Sequence, residues 1–228
     1  MIIGNGLLAK SLTDADRDDV IFFCSGVSNS LETNPLAFAR EAELLRMQDT
    51  KLMLVYFSTI SIFNPAKQSS PYTQHKKAME QLVSAQFENH VIVRLPNVVG
   101  QGGNGSNLLP YFLHGIAENK SVIIFENTRR ELMEASVLPN IVNTLLEREF
   151  RGSINAGFSH TPMVLDIYLH LCDLMEATPN YTLTSGELSF ETDCSEFIAI
   201  MKSAGVAPAG TWQDMAKRAV ELFRGQPA

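Results

Sequence analysis

The sequence predicts a doubly wound α/β fold, a parallel sheet with helices on both faces, followed by a small C-terminal subdomain. Three observations carry this. Short β-like runs alternate with longer helical patterns along most of the chain. The runs VIFFC (20–24), KLMLVYF (51–57) and VIVRL (91–95) are short and almost continuously apolar, as strands buried on both faces are. The first run, 1–3, leads at once into Gly4-Asn5-Gly6 and a helical stretch, the strand–turn–helix opening of such sheets.

The bulk numbers agree. A chain of 228 residues is one large domain, or one domain with a small appendage. Its 45% hydrophobic and 19% charged residues are globular values, which exclude a disordered chain, a collagen or a disulfide scaffold. The net charge of −7, with 18 Lys and Arg against 25 Asp and Glu, excludes a phosphate-tracking surface, so no nucleic acid is expected. Cys24, Cys172 and Cys194 lie far apart with no CxxC, which points to free thiols in a reducing compartment. The opening Met-Ile-Ile-Gly has no basic stretch before an apolar one. No run approaches the roughly 18 apolar residues of a membrane span. The expectation is a cytoplasmic protein with no membrane partner.

In chain order, a helix is predicted over 7–12, an acidic connection over 14–19 and the strand 20–24. A polar loop over 25–34 leads to a helix over 35–48 with a helical apolar period. Strand 51–57 is followed by loop 58–71 and a helix over 71–87, with Pro71 in a first-turn position that tolerates it. Strand 91–95 runs into a loop over 96–105 with four glycines. Further helices are expected over 108–118, 135–148, 161–176, 194–204 and 211–224, and strands over 121–125 and 153–156. The domain division is 1–96 with 121–156 for the main α/β unit, and 97–120 with 157–228 for the small subdomain.

Two patterns can carry chemistry. Gly4-Asn5-Gly6-Leu7-Leu8-Ala9 is a G-x-G-x-x-A turn opening a helix; glycines there let a pyrophosphate approach backbone N–H groups. The acid that normally holds a ribose at the end of the second strand is missing, because strand 20–24 ends in Cys24-Ser25-Gly26. Tyr72-Thr73-Gln74-His75-Lys76 is Y-x-x-x-K on a helix, which puts phenol and ammonium on one face. An ammonium beside a phenol favours the phenolate, so the tyrosine can exchange a proton. Ser58 and Thr59 lie at the end of strand 51–57, where open α/β sheets bind ligands. His75, His90, His114, His160 and His170 show no H-x-x-x-H or H-E-x-x-H spacing, so no metal site is expected.

The ordered stretches GNGLLA, VIFFCSG, LVYFSTISIF, PYTQHKKAMEQLV, VIVRLPNVVGQGG, RRELMEASV and GSINAGFS resemble the extended short-chain dehydrogenase/reductase superfamily, in its NAD(P)-dependent sugar-nucleotide epimerase/dehydratase branch. The resemblance covers roughly residues 1–160. It implies a Rossmann-like sheet lacking the usual second and third strands, because residues 10–19 cannot hold two strands and a helix. It implies NAD or NADP as cofactor, held by Gly4, Asn5, Gly6, Leu7, Leu8, Ser25, Gly26, Tyr72, Lys76 and Pro96. It makes Tyr72 the acid/base, Lys76 the ribose ligand, and Thr59, with Ser58 beside it, the partner of the reacting sugar oxygen. Asn97 and Arg130 match substrate-diphosphate and nucleotide-phosphate ligands.

The family's 4,6-dehydratases follow this Thr with Asp-Glu; Ile60-Ser61 stand here, so an epimerase or a keto-reductase is implied, in surface polysaccharide synthesis. The partners implied are a nucleotide-sugar substrate and a second copy of the chain. The seam between copies is expected from among Leu36, Leu44, Met47, Met79, Leu82 and Val83, some of which must face their own sheet. The alternative is a cofactor-poor relative that binds a nucleotide sugar or a partner protein without turnover.

Overall fold

The computed structural model describes residues 1–102, 105, 107–158, 161–185 and 190–225. His160 and the last residue of GSINAGFS lie outside them. The described strands are β1 (Ile2–Ile3), β2 (Val20–Phe23), β3 (Met53–Thr59), β4 (His90–Leu95), β5 (Asn97–Val99), β6 (Val122–Phe125), β7 (Leu132–Glu134), β8 (Gly152–Asn155) and β9 (Tyr181–Thr184). The helices are α1 (Leu7–Ser11), α2 (Pro35–Arg46), α3 (Pro71–Gln86), α4 (Leu108–Ala117), α5 (Leu138–Glu147), α6 (Val164–Met175), α7 (Ser195–Ser203) and α8 (Trp212–Arg224).

The main sheet runs β1-β2-β3-β4-β8, all parallel. Alternation along each strand divides its apolar residues between two faces. Phe22, Val55, Phe57, Val91 and Val93 pack with Ile141 and Leu145 of α5 and with Phe197 and Met201 of α7. Ile21, Phe23, Leu54, Tyr56 and Ile92 pack with Leu45 of α2 and with Met79 and Val83 of α3. Helices thus cover both faces, which is why these strands read as apolar runs instead of alternating ones.

A second core, built from α4, α6 and α8, stands beside the sheet. Phe112, Ile167, Tyr168, Leu171, Ala216 and Val220 are at its centre. Two small parallel pairs edge it, β5 with β7 and β6 with β9. Two segments therefore sit elsewhere than the sequence assigns them. Residues 122–125 pair with β9 and put Val122 and Ile124 into the second core, not the main sheet. Residues 195–203, expected with the small subdomain, pack Phe197 and Met201 on the main sheet. Both placements are set by packing against residues far along the chain, which periodicity does not encode.

β5, β7 and β9 were not expected. They are three or four residues long, and each pairs with a segment more than thirty residues away. Among the described residues no helix is long and apolar enough to cross a membrane. Cys24, Cys172 and Cys194 are free. Met79 and Val83 face the chain's own sheet and are lost to any seam between copies. Leu36 and Met47 remain 77% and 79% exposed.

Candidate active site

A cleft of about 870 Å³ opens at the carboxyl ends of β1–β4 and extends to the second core. Gly4, Asn5, Gly6, Leu7, Leu8, Ser25, Gly26, Ser58, Thr59, Tyr72, Lys76, Pro96, Asn97 and Arg130 all line it. Parallel strands bring this about: every βα turn leaves the sheet on the same side, so turns far apart in sequence meet there.

Tyr72 enters from the first turn of α3. Ser70 caps that helix by accepting from Thr73 N, and Pro71 starts it. Tyr72 is buried in the cleft beside Thr59 at the end of β3, whose hydroxyl helps to hold the phenol pKa down. Thr59 Oγ1 also accepts from Ser61 N at 3.1 Å. One turn on, Lys76 is 3% exposed. Its Nζ donates to Glu41 Oε1 at 3.0 Å and to Tyr56 OH at 3.1 Å. Burial raises the Tyr72 pKa above the ordinary phenol value; Lys76 and Thr59 pull it down and Glu41 pushes it up.

Ser58 is differently engaged. Its Oγ donates to Glu80 Oε1 at 2.6 Å, and Glu80 is clasped by Arg94, with Nη2 at 2.7 Å from Oε2. The hydroxyl thereby fastens β3 to α3 and β4. Asn97 donates from its backbone and from Nδ2 to Glu131 O, each at 3.2 Å, which ties β5 to β7. Arg130 lies over the Phe190 ring at 5.7 Å.

The glycine loop suits a phosphate. Gly4 has φ +127°, and a Cβ there would fall 2.8 Å from the Cys24 carbonyl, so only glycine fits. A Cβ on Gly6 would meet nothing within 4 Å, so the loop faces open space at this point. Gly6, which has no side chain to offer a cap, stands at the N-terminus of α1. At the end of β2, where a ribose carboxylate is absent, Arg40 donates to Ser25 O at 2.9 Å and to Ser25 Oγ at 3.2 Å. β1 is the last strand of the sheet on that side among the described residues. The Gly4–Leu8 turn thus has the shape and room for a pyrophosphate, and it lies at the described sheet's β1 edge.

A model of the NAD dependent epimerase/dehydratase family matches residues 32–157. The chain belongs to that family. No curated protein matches the sequence. Among solved structures, the family fold recurs in the Bordetella bronchiseptica enzyme WbmH in complex with NAD+, at 18% identity and TM-score 0.75, covering 92% of this chain and 76% of that one. It recurs in Thermus thermophilus UDP-glucose 4-epimerase with NAD, at 15% identity and TM-score 0.71, covering 96% and 82%. A third is UDP-glucuronic acid 4-epimerase from Bacillus cereus with UDP-glucuronic acid and NAD, at 16% and 0.71, covering 95% and 78%. At these identities the likeness concerns the fold, and the family match makes NAD-type cofactor chemistry the setting for the cleft.

Sequence reasoning missed Glu41, Tyr56 and His75, which surround Lys76. One signal was there: Glu41 stands four residues before Leu45, in phase with the buried stripe of α2.

Proposed function

We propose that the chain binds NAD or NADP together with a nucleotide-activated sugar and interconverts a hydroxyl and a keto carbon on that sugar, as an epimerase or a keto-reductase in surface polysaccharide synthesis. The observation that carries this is the meeting of Tyr72, Thr59 and the buried Lys76 ammonium in the same cleft as the open Gly4–Leu8 loop. In this reading Thr59 holds the reacting sugar oxygen and Tyr72 gives it a proton or takes one from it. Lys76 holds the nicotinamide ribose with the N–H that Glu41 and Tyr56 leave over. Gly4, Asn5, Gly6, Leu7 and Leu8 hold the pyrophosphate, with Ser25, Gly26 and Pro96 as further walls. A bound nicotinamide supplies the hydride acceptor or donor. Asn97 and Arg130, at the far side of the cleft, hold the sugar diphosphate. Ile60 and Ser61 carry no carboxyl for eliminating water, which favours these two reactions over a 4,6-dehydratase.

The second reading is a relative that binds a nucleotide sugar or a partner protein without turnover. Two observations favour it: among the described residues β1 ends the sheet, and Glu41 offsets the charge of Lys76. One experiment separates the two. The purified chain is supplied with NAD+, NADP+ and their reduced forms beside a panel of UDP- and dTDP-sugars, and products are resolved by chromatography. Conversion of one sugar that vanishes in Tyr72→Phe supports the enzyme. Sugar-nucleotide binding with no conversion under any cofactor supports the second reading.

A further inference from the structure

The Glu41 carboxylate lies beneath the cleft with no exposure. Oε1 accepts from Tyr56 OH at 2.6 Å and from Lys76 Nζ at 3.0 Å. Oε2 accepts from Val27 N at 2.6 Å and faces His75 Nε2 at 2.8 Å. A carboxylate offers about four lone-pair sites, and all are taken. The partners come from β3, from α3 and from the turn after β2, so one side chain of α2 fastens three walls of the cleft together. An ammonium has three donors. Glu41 and Tyr56 take two of those on Lys76 and leave one for the cleft.

A buried ion pair seldom adds stability over an apolar pair of the same size, so a fully satisfied one under a ligand cleft asks for another reason. We propose that Glu41 is a positioning residue for the Tyr72–Lys76 pair: it anchors the ammonium to the cleft floor and offsets its charge at the neighbouring phenol. This rests on the reading of Tyr72 and Lys76 as the reacting pair given above. The titratable and charged groups around it are Lys76, His75 and Tyr72 from α3 and Tyr56 from β3, with Glu80 bearing on Tyr56 from one turn further along α3. The Lys76 cation favours the Tyr72 phenolate and the Glu41 anion disfavours it, so the phenol ionises in a field that the pair sets jointly.

The first arm of the test needs no cofactor, and neither arm needs turnover. Tyrosinate formation in the full chain is followed by ultraviolet difference absorbance, with Tyr72→Phe marking the share of Tyr72. In Glu41→Gln, which keeps the shape and removes the charge, the Tyr72 midpoint should fall by about one pH unit. Glu41→Asp keeps the charge and shortens the reach. Its midpoint should stay within a few tenths, while NAD+ or NADP+ binding by calorimetry weakens severalfold. If Glu41→Gln alone does not fold, Glu41→Gln/Lys76→Gln is titrated against Lys76→Gln, and the double variant should again ionise about one unit lower. A folded charge-removing variant whose Tyr72 midpoint does not move overturns the proposal. So does Glu41→Asp with unchanged binding. If neither dinucleotide binds the unmutated chain, the enzymatic reading fails, and the phenol titration still decides the role of Glu41.

Discussion

The Lys76 ammonium stands 3.0 Å from the Glu41 carboxylate, 3% and 0% exposed respectively. Burial would raise the Glu41 pKa; Lys76, His75, Tyr56 and the Val27 N–H together bring it down from 4.5 to about 2. Between those values the unfolded chain binds the extra proton, so stability rises with pH there. Its contribution is fully present above about pH 5 and is lost as pH falls through 2, on the order of 3 kcal/mol in all. Urea unfolding at a series of pH values should show this acid slope, and Glu41→Gln should flatten it. Glu41→Ala, which strands the ammonium, should cost about 3–5 kcal/mol at neutral pH in the same measurement.

Gly26 touches the same pair. A Cβ there would lie 2.8 Å from Lys76 Nζ, closer than real side chains come, and 3.0 Å from Glu41 Oε1, a tight contact. The ammonium ends a flexible chain, but it is walled in, so it must give up a partner to move. Gly26→Ala should lose about 1–3 kcal/mol, the usual range for overpacking. Thermal unfolding checks this, and Glu41→Gln/Gly26→Ala should lose less than the sum of the single changes, because the two sites share one contact.

How far the sequence reaches is seen in these residues. VIFFC and VIVRL announced their strands because burial on both faces leaves a continuous apolar run. Thr59, Tyr72 and Lys76 were legible because strand end and helix spacing are local properties. Glu41 was not, because the partners of an acid on a helix lie across three other elements. Ser58 reads as a hydroxyl at a ligand-binding strand end, yet its donor goes to Glu80, 22 positions on. The strands β5, β7 and β9 owe their existence to partners far along the chain, which no window of ten residues contains.

In the proposed reading Tyr72 moves the proton at the oxygen that Thr59 holds, and Tyr72→Phe removes that hydroxyl while leaving the ring in its buried slot. Turnover should drop about 100- to 10,000-fold, the usual share of general acid–base catalysis. Dinucleotide affinity by calorimetry should stay within a few-fold, since Lys76 and the glycine loop are untouched.

A homodimer through α2 and α3 is expected, with a narrower seam than the sequence suggested. Leu36 and Met47 stay exposed on α2, while Leu44 and Leu82 are half-buried. Light scattering should give twice the 25.2 kDa chain mass. Leu36→Glu with Met47→Glu should give the single chain with an unchanged far-ultraviolet dichroism spectrum. A monomeric unmutated protein at tens of micromolar refutes this interface.

Cofactor affinity is the last test. In the proposed reading the Gly4–Leu8 loop and Lys76, which line the cleft, hold pyrophosphate and ribose, and among the described residues β1 ends the sheet on the adenosine side. A hydrogen bond to a charged group is worth about 1.5–3 kcal/mol, and about 1.4 kcal/mol is tenfold in affinity. Losing the ribose carboxylate and part of the adenine burial should therefore weaken NAD+ by about ten- to a hundredfold or more. At the end of β2 the charged neighbour is Arg40, a cation held on Ser25. Strand β2 runs into Cys24-Ser25-Gly26 with no acid in the ribose position to select against the extra phosphate of NADP+, so the two dinucleotides should bind within a few-fold of one another. Calorimetric titration of both decides this, and a submicromolar dissociation constant for either would mean that another segment covers the adenosine.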